Sequence, residues 1–153
     1  MNRDMIIDKL GRKGDSVEYL HGIFFTPSFA PATVPELKRL FMGDACHLNF
    51  GKYTLFSCYG VTANCNMSPV AFAIVFGNEN GTTWKEFWKF VKEVHPTMNQ
   101  PDVTIVTDQD KGQKSAISEV MDQAGQFYCA HHCRGNIVKM CGAASGNRFY
   151  SAL

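Results

Sequence analysis

Two segments of different periodicity, lying on either side of one proline, restrict what this chain can fold into more than anything else in it. Trp84, Phe87, Trp88 and Val91 recur at the i, i+3, i+4, i+7 spacing of a helix, with Val94 closing the stripe and Lys85, Glu86, Lys89 and Lys92 elsewhere. Thr82 or Thr83 can cap the start of this helix, and His95-Pro96 stops it. Beyond the stop, Val103, Thr104, Ile105, Val106 and Thr107 form a short β-branched run that ends on Asp108. A strand arriving at that distance after a helix suits a crossover connection, so the run is expected to be a parallel strand. A parallel strand needs a sheet beside it and a covered face, which points to a layered α/β architecture.

The rest of the sheet is legible on both sides of this pair. Upstream, the run from Leu40 to Ala45 reads as a strand that carries Asp44 near its end. Tyr53 to Tyr59 and Val70 to Phe76 are β-branched and aromatic runs, separated by the turn-like Thr62, Ala63, Asn64, Cys65 and Asn66. Together they predict a meander of three antiparallel strands. Downstream, a second helix is expected over about 112–123, with Ala116, Ile117, Val120 and Met121 on one face and Gly125 ending it. Phe127, Tyr128 and Cys129 then make a fifth short strand, and a last helix runs from about His132 to Met140, ahead of the glycine- and serine-rich 142–146.

Outside this core the signals are weak. Residues 1–20 are polar and glycine-containing and read as a flexible N-terminal tail. Gly22, Ile23, Phe24 and Phe25 then meet Pro27, Pro31 and Pro35, which forbid a long helix and read as a connector. The expected layout is a tail over 1–20, one domain over 21–141 and an end piece over 142–153.

Composition removes several classes of function. With 153 residues and 45% hydrophobic content, the chain can bury one core and not two. Fifteen Lys plus Arg against fourteen Asp plus Glu leave a formal net charge of +1, so no global field draws this molecule onto DNA, and any nucleic-acid contact must be local. Six cysteines without the spacing of a secreted framework argue for a reducing compartment. The first fifteen residues mix acids and bases without an apolar core, and the longest apolar run, Val70 to Phe76, is far too short to cross a bilayer. Synthesis in the cytosol is expected, with neither secretion nor membrane insertion.

Asp44 and Asp108 stand at the C-terminal ends of the first and fourth strands, and in such a sheet these two strands can be neighbours. Two adjacent carboxylates repel each other unless a proton or cation lies between them, and hard oxygen donors favour Mg²⁺ or Mn²⁺. Phosphoryl-transfer sites hold two such ions roughly 3.5 to 4 Å apart. The bland reading is equally physical, since an aspartate after a strand is commonly a turn former or a helix cap.

The residues around the acids narrow the choice. Gly43, Asp44, Ala45, Cys46, His47 and Leu48, then Gly51, Lys52 and Tyr53, Asn64, Cys65 and Asn66, the stretch from Pro69 to Ala73, Glu79 and Asn80, and Trp84 with Phe87 follow one another in an order and spacing that resembles the first half of a Mutator-like (MULE) transposase domain. Thr107, Asp108, Gln109, Asp110, Lys111 and Gly112 are similar to that family's second-aspartate motif, and Cys129, His132 and Asn136 to its Cys-x-x-His segment. The resemblance spans about residues 20 to 140. It implies a ribonuclease H-like fold, a mixed sheet of three antiparallel strands and then parallel ones between helices, cut short at the C-terminus. It makes Asp44 and Asp108 the first two carboxylates of an Asp-Asp-Glu set, with Asp110 the nearest rival to Asp108. It implies Mg²⁺- or Mn²⁺-dependent cleavage and strand transfer at transposon ends, a nuclear location, and DNA and further transposase subunits as partners. The family's glutamate lies beyond the Cys-x-x-His segment, and no acid follows Asp122 here. The resemblance therefore implies a second metal site left incomplete and little or no cleavage by this chain alone, the rest of the domain coming from elsewhere. Another ribonuclease H-like nuclease, or a domesticated remnant that binds DNA or protein without cutting, fits the same residues.

Three further groups have two readings each. Cys129, His131, His132 and Cys133 combine sulfur and imidazole, but a structural zinc site wants two ligand pairs with a spacer, and Cys141 would have to reach back from a helix end. The other reading is a buried Cys129 and a His132 hydrogen-bonded beside the acids, the two acting as a supporting pair. Glu79 and Asn80 match a family signature and also suit a turn before a helix cap. Lys52, Lys111, Lys114, Arg134 and Lys139 could touch phosphates, although so dispersed a set is ordinarily solvated surface.

Overall fold

The computed structural model describes residues 6–13, 17–49, 51–109 and 111–152. Strands β1 (Ile6–Lys13) and β2 (Val17–Phe25) come first, followed by the single turn α1 (Ala30–Thr33) and a 3₁₀ turn over Val34–Glu36. The meander β3 (Lys38–His47), β4 (Tyr53–Val61) and β5 (Met67–Phe76) leads into helix α2 (Gly81–Val94) and a 3₁₀ turn over Pro96–Met98. Then β6 (Thr104–Thr107), α3 (Lys111–Val120), β7 (Gly125–Tyr128), α4 (Ala130–Cys141) and α5 (Ala143–Ser151) complete the described chain.

The strands form one seven-stranded mixed sheet in the order β1-β2-β5-β4-β3-β6-β7. Pairing is antiparallel from β1 across to β3, and parallel from β3 to β6 and from β6 to β7. The expected meander and parallel strands are thus present, flanked by helices.

Alternation along β4 explains which face is buried. Thr54, Phe56, Cys58 and Gly60 are buried, while Leu55, Ser57 and Tyr59 between them are half-exposed. Helix α2 lies over the buried face, with Trp84, Phe87 and Trp88 fully excluded from solvent, as their stripe predicts. Phe56 meets the Trp84 ring edge-on at 4.7 Å, and Phe87 meets Trp88 at 5.5 Å. Ala116, Ile117, Val120 and Met121 at the α3 end of the chain join the same core.

Several expectations need correction. Residues 6–13 and 17–20, expected in a flexible tail, belong to strands. Gly22 to Phe25, expected in a connector, pair with Val75 to Phe72 of β5, after which β1 adds along β2. A ladder is made of main-chain groups, so a polar sequence can join it without an apolar alternation to announce the strand. The cap of α2 is Asn80 and not Thr82 or Thr83: its side chain accepts the N–H groups of both, while Thr83 Oγ1 accepts the Asn80 N–H. Gly125 opens β7, and Cys129 is the N-cap residue of α4 and not a strand residue. The glycine- and serine-rich 142–146 starts a helix: Gly142, at φ +86°, breaks the chain after α4, and Gly146 has no Cβ where Val138 and Arg134 of α4 pack against it.

Candidate functional site

The parallel ladder between β3 and β6 pairs Leu40 with Thr104, Phe41 with Ile105 and Met42 with Val106. Carried two residues further, the same register reaches Asp44 and Asp108, which therefore leave adjacent strands at one level and on one face. On the other side of β3, Asp44 pairs with Ser57. Past the last β6–β7 pair, Thr107 with Tyr128, the Cys129 N–H donates to the Thr107 carbonyl at 2.6 Å and carries the row to Cys129. A polar row thus crosses the sheet as Ser57, Asp44, Asp108 and Cys129. Two residues back, the row on the same face is Tyr59, Met42, Val106 and Phe127.

A cleft of about 230 Å³ opens over these rows. Asp44, Ser57, Asp108, Cys129 and His132 line one side, and Met42, Tyr59, Met67 and Val106 the other. Asp44 is exposed and Asp108 half-buried. Asp44 Oδ1 accepts the Ala45 N–H at 2.9 Å, and Ser57 Oγ donates to the Asp44 carbonyl at 3.2 Å, which ties the aspartate's backbone to β4. No ion pair with a lysine or arginine reaches Asp44 among the described residues. His132, in the first turn of α4, has a buried Nδ1 with no hydrogen-bond partner among the described residues.

The four residues Asp44, Asp108, Cys129 and His132 are brought together at one cleft. Glu79 is not with them: it accepts the Trp84 Nε1–H at 2.8 Å beside the start of α2, a supporting role in the core layer. Asp110 lies outside the described residues. Of the basic residues, Lys52, Lys114, Arg134 and Lys139 do not line the cleft.

Two carboxylates, one on β3 and one just beyond β6, the first without a cation partner among the described residues, are the donor type that a hard divalent ion takes. They fit such an ion in part, because among the described residues no group of three or more His, Cys, Asp or Glu side chains is placed to hold a metal. Cys129 and His132 share the cleft, whereas Cys141 sits exposed at the far end of α4. All six cysteines are free thiols, and burial pushes the Cys58 thiol far above its ordinary range, which leaves it inert.

Ser57, Tyr59 and Met67 are cleft residues that sequence reasoning missed. Alternation in β4 puts Ser57 and Tyr59 on the face opposite Phe56 and Cys58, but only the strand register sets them across from Asp44 and Met42.

No helix of the described residues is long and apolar enough to cross a membrane. Among curated proteins, none matches this chain. A family model, the MULE transposase domain, matches residues 44–136, beginning at the first of the paired aspartates and ending at Asn136, whose side chain donates to Gln109 Oε1 next to Asp108. The match takes in more than half of the 153 residues and every described cleft residue from Asp44 onward, and the chain belongs to the MULE transposase domain family.

Proposed function

We propose that Asp44 and Asp108 are the first two metal-binding carboxylates of an Asp-Asp-Glu transposase centre that acts on DNA at transposon ends, in the nucleus. The reading rests on the β3–β6 ladder, which, extended two residues past its last pair, levels Asp44 of β3 with Asp108 just beyond β6, and on both acids lining one cleft. The strand order β5-β4-β3-β6-β7, antiparallel and then parallel, supports a ribonuclease H-like fold beneath it.

A divalent Mg²⁺ or Mn²⁺ bound here would supply Lewis acidity for phosphodiester chemistry. Asp44 and Asp108 are the residues that would hold it. The Ala45 N–H orients Asp44 Oδ1, and Ser57 anchors the Asp44 backbone. Cys129 and His132 form the wall of the cleft beyond Asp108 and limit where the DNA backbone can lie.

Among the described residues, the acids downstream of Asp108 offer no third carboxylate to the cleft. Glu119 pairs with Lys85, Asp122 is held by Lys92, Asn99 and Gln123, and neither lines the cleft. Without a third carboxylate a second ion would be weakly held, and this chain alone would cut DNA little or not at all until one is supplied in trans.

Calorimetric titration with Mn²⁺ tests the reading. Binding is expected in the parent chain, with a loss of at least about tenfold in affinity in Asp44→Asn and in Asp108→Asn, since even an outer-shell partner of a metal ligand is worth about 10–100-fold. Asp122→Asn serves as the control that binds normally. Unchanged Mn²⁺ binding in both cleft variants would overturn the assignment. A chain that binds no Mn²⁺ at all would favour a remnant that binds DNA or protein without cutting.

A further inference from the structure

We propose that the apolar side of the cleft, built on Tyr59, is a nucleoside subsite that seats the base and sugar flanking the scissile phosphate. The proposal rests on the reading of Asp44 and Asp108 given above. The two rows of side chains on this face differ sharply in chemistry. Ser57, Asp44 and Asp108 present oxygens, while Tyr59, Met42 and Val106 present an aromatic ring, a thioether and a branched alkyl group. Two residues along a strand separate the rows by about 7 Å. A nucleotide changes character over a similar short span, from an anionic phosphate to an apolar sugar edge and a flat base. With its phosphate at the carboxylate row, its base reaches the Tyr59 row inside the same cleft.

Tyr59 is prepared for that task. Its ring meets that of Phe72 on the neighbouring strand β5 edge-on at 5.7 Å, a contact that restrains it, and it remains half-exposed at the cleft. Met67, 55% exposed at the start of β5, stands at the mouth, where an unbranched thioether can adapt to either a purine or a pyrimidine. Every base has a π-face, so a site of this kind adds affinity without reading sequence. It also compensates for the chain's near-zero net charge, which provides no long-range attraction to DNA.

The test is fluorescence anisotropy of short labelled single-stranded DNA in the presence of Mn²⁺, with each position made abasic in turn. In the parent chain one abasic position weakens binding by about tenfold, the scale of one stacked base. Tyr59→Ala and Tyr59→Leu, the latter keeping apolar bulk without the ring, bring that ratio close to one, whereas Tyr59→Phe preserves it. Phe76→Ala, which removes an exposed aromatic at the far end of β5, leaves the ratio unchanged. Mn²⁺ titration of the Tyr59 variants is expected to match the parent. A failure of the subsite with metal binding intact is thereby distinct from a failure of the carboxylate assignment. An abasic penalty that persists in Tyr59→Leu overturns the proposal. So does a parent chain that shows no penalty at any position, or one that self-associates in sedimentation through a face that Tyr59→Leu abolishes, which would assign the apolar side to protein contact.

Discussion

Gly43 stands one residue before Asp44 with its Cα against the core, and its missing side chain is what allows α2 to approach the strand that carries the acid. A Cβ there would lie 2.6 Å from Trp88 Cζ2 and 3.0 Å from Gln113 Nε2. Both neighbours are fully buried, and an indole in a filled core has no free rotamer to retreat into. Gly43→Ala is expected to cost about 1–3 kcal/mol in urea unfolding, the usual scale of overpacking, and to weaken Mn²⁺ binding by moving Asp44. Pairing it with Trp88→Leu, which opens space at the same point, should recover part of the binding. A Gly43→Ala variant as stable as the parent would show that the helix and strand are not in close contact there. The acids themselves were legible as candidates in the sequence, since each follows an apolar or β-branched run and sits in a recognisable neighbourhood. Ser57 and Tyr59 were not, because nothing local distinguishes one half-exposed β4 residue from another.

Helix α2 is the element whose sequence signals and structure agree most closely, and its start shows where local reading stops. The stripe from Trp84 to Val91 names the buried face correctly, but three polar residues within four positions, Asn80, Thr82 and Thr83, all have capping chemistry. Asn80 takes the cap because it is extended, at φ −157°, and its Oδ1 reaches the N–H groups of Thr82 and Thr83 at 2.9 and 3.1 Å. Asn80→Ala should therefore destabilise the chain by about 1 kcal/mol, and Asn80→Asp by much less, read as a shift in the urea midpoint. Thr82→Ala, which removes an exposed hydroxyl, should be close to silent. At its other end the helix supports α3, since Lys92 Nζ donates to the Val120 carbonyl at 2.8 Å and to Asp122 at 3.2 Å. Helix α4 was legible to within two residues, but α5 was not legible at all. The segment 142–146 reads in the sequence only as part of an end piece, yet Gly146 lies inside α5, where the lack of a Cβ lets it meet α4. Local composition records the glycine but not the helix it touches.

On the scale of the whole molecule, His95 joins elements that are far apart in the chain. It closes the C-terminal end of α2, is 3% exposed, and its Nε2 lies 3.0 Å from Thr26 Oγ1, which in turn donates to the Val70 carbonyl of β5 at 2.6 Å. Burial lowers the His95 pKa below 6.5, partly opposed by a backbone hydrogen bond at Val70, so the folded chain keeps the imidazole neutral where the unfolded chain would protonate it. The unfolded state then binds more protons, and stability falls as pH drops below the unfolded value. Urea midpoints measured from about pH 7.5 down to about pH 5 should decline, with a shallower decline in His95→Gln. An identical slope in the variant would remove His95 as the cause. By itself the sequence determined the layered α/β class, the meander, the crossover helix with its buried face, and the two aspartates, because each of these is written in the spacing of neighbouring residues. Tertiary structure alone decided that β1 and β2 join the sheet, that β3 lies beside β6 in a register that levels Asp44 with Asp108, and that Tyr59 and Ser57 share their cleft. Those outcomes depend on hydrogen bonds between strands distant in sequence, and a main-chain ladder leaves no mark on the side chains that periodicity reads.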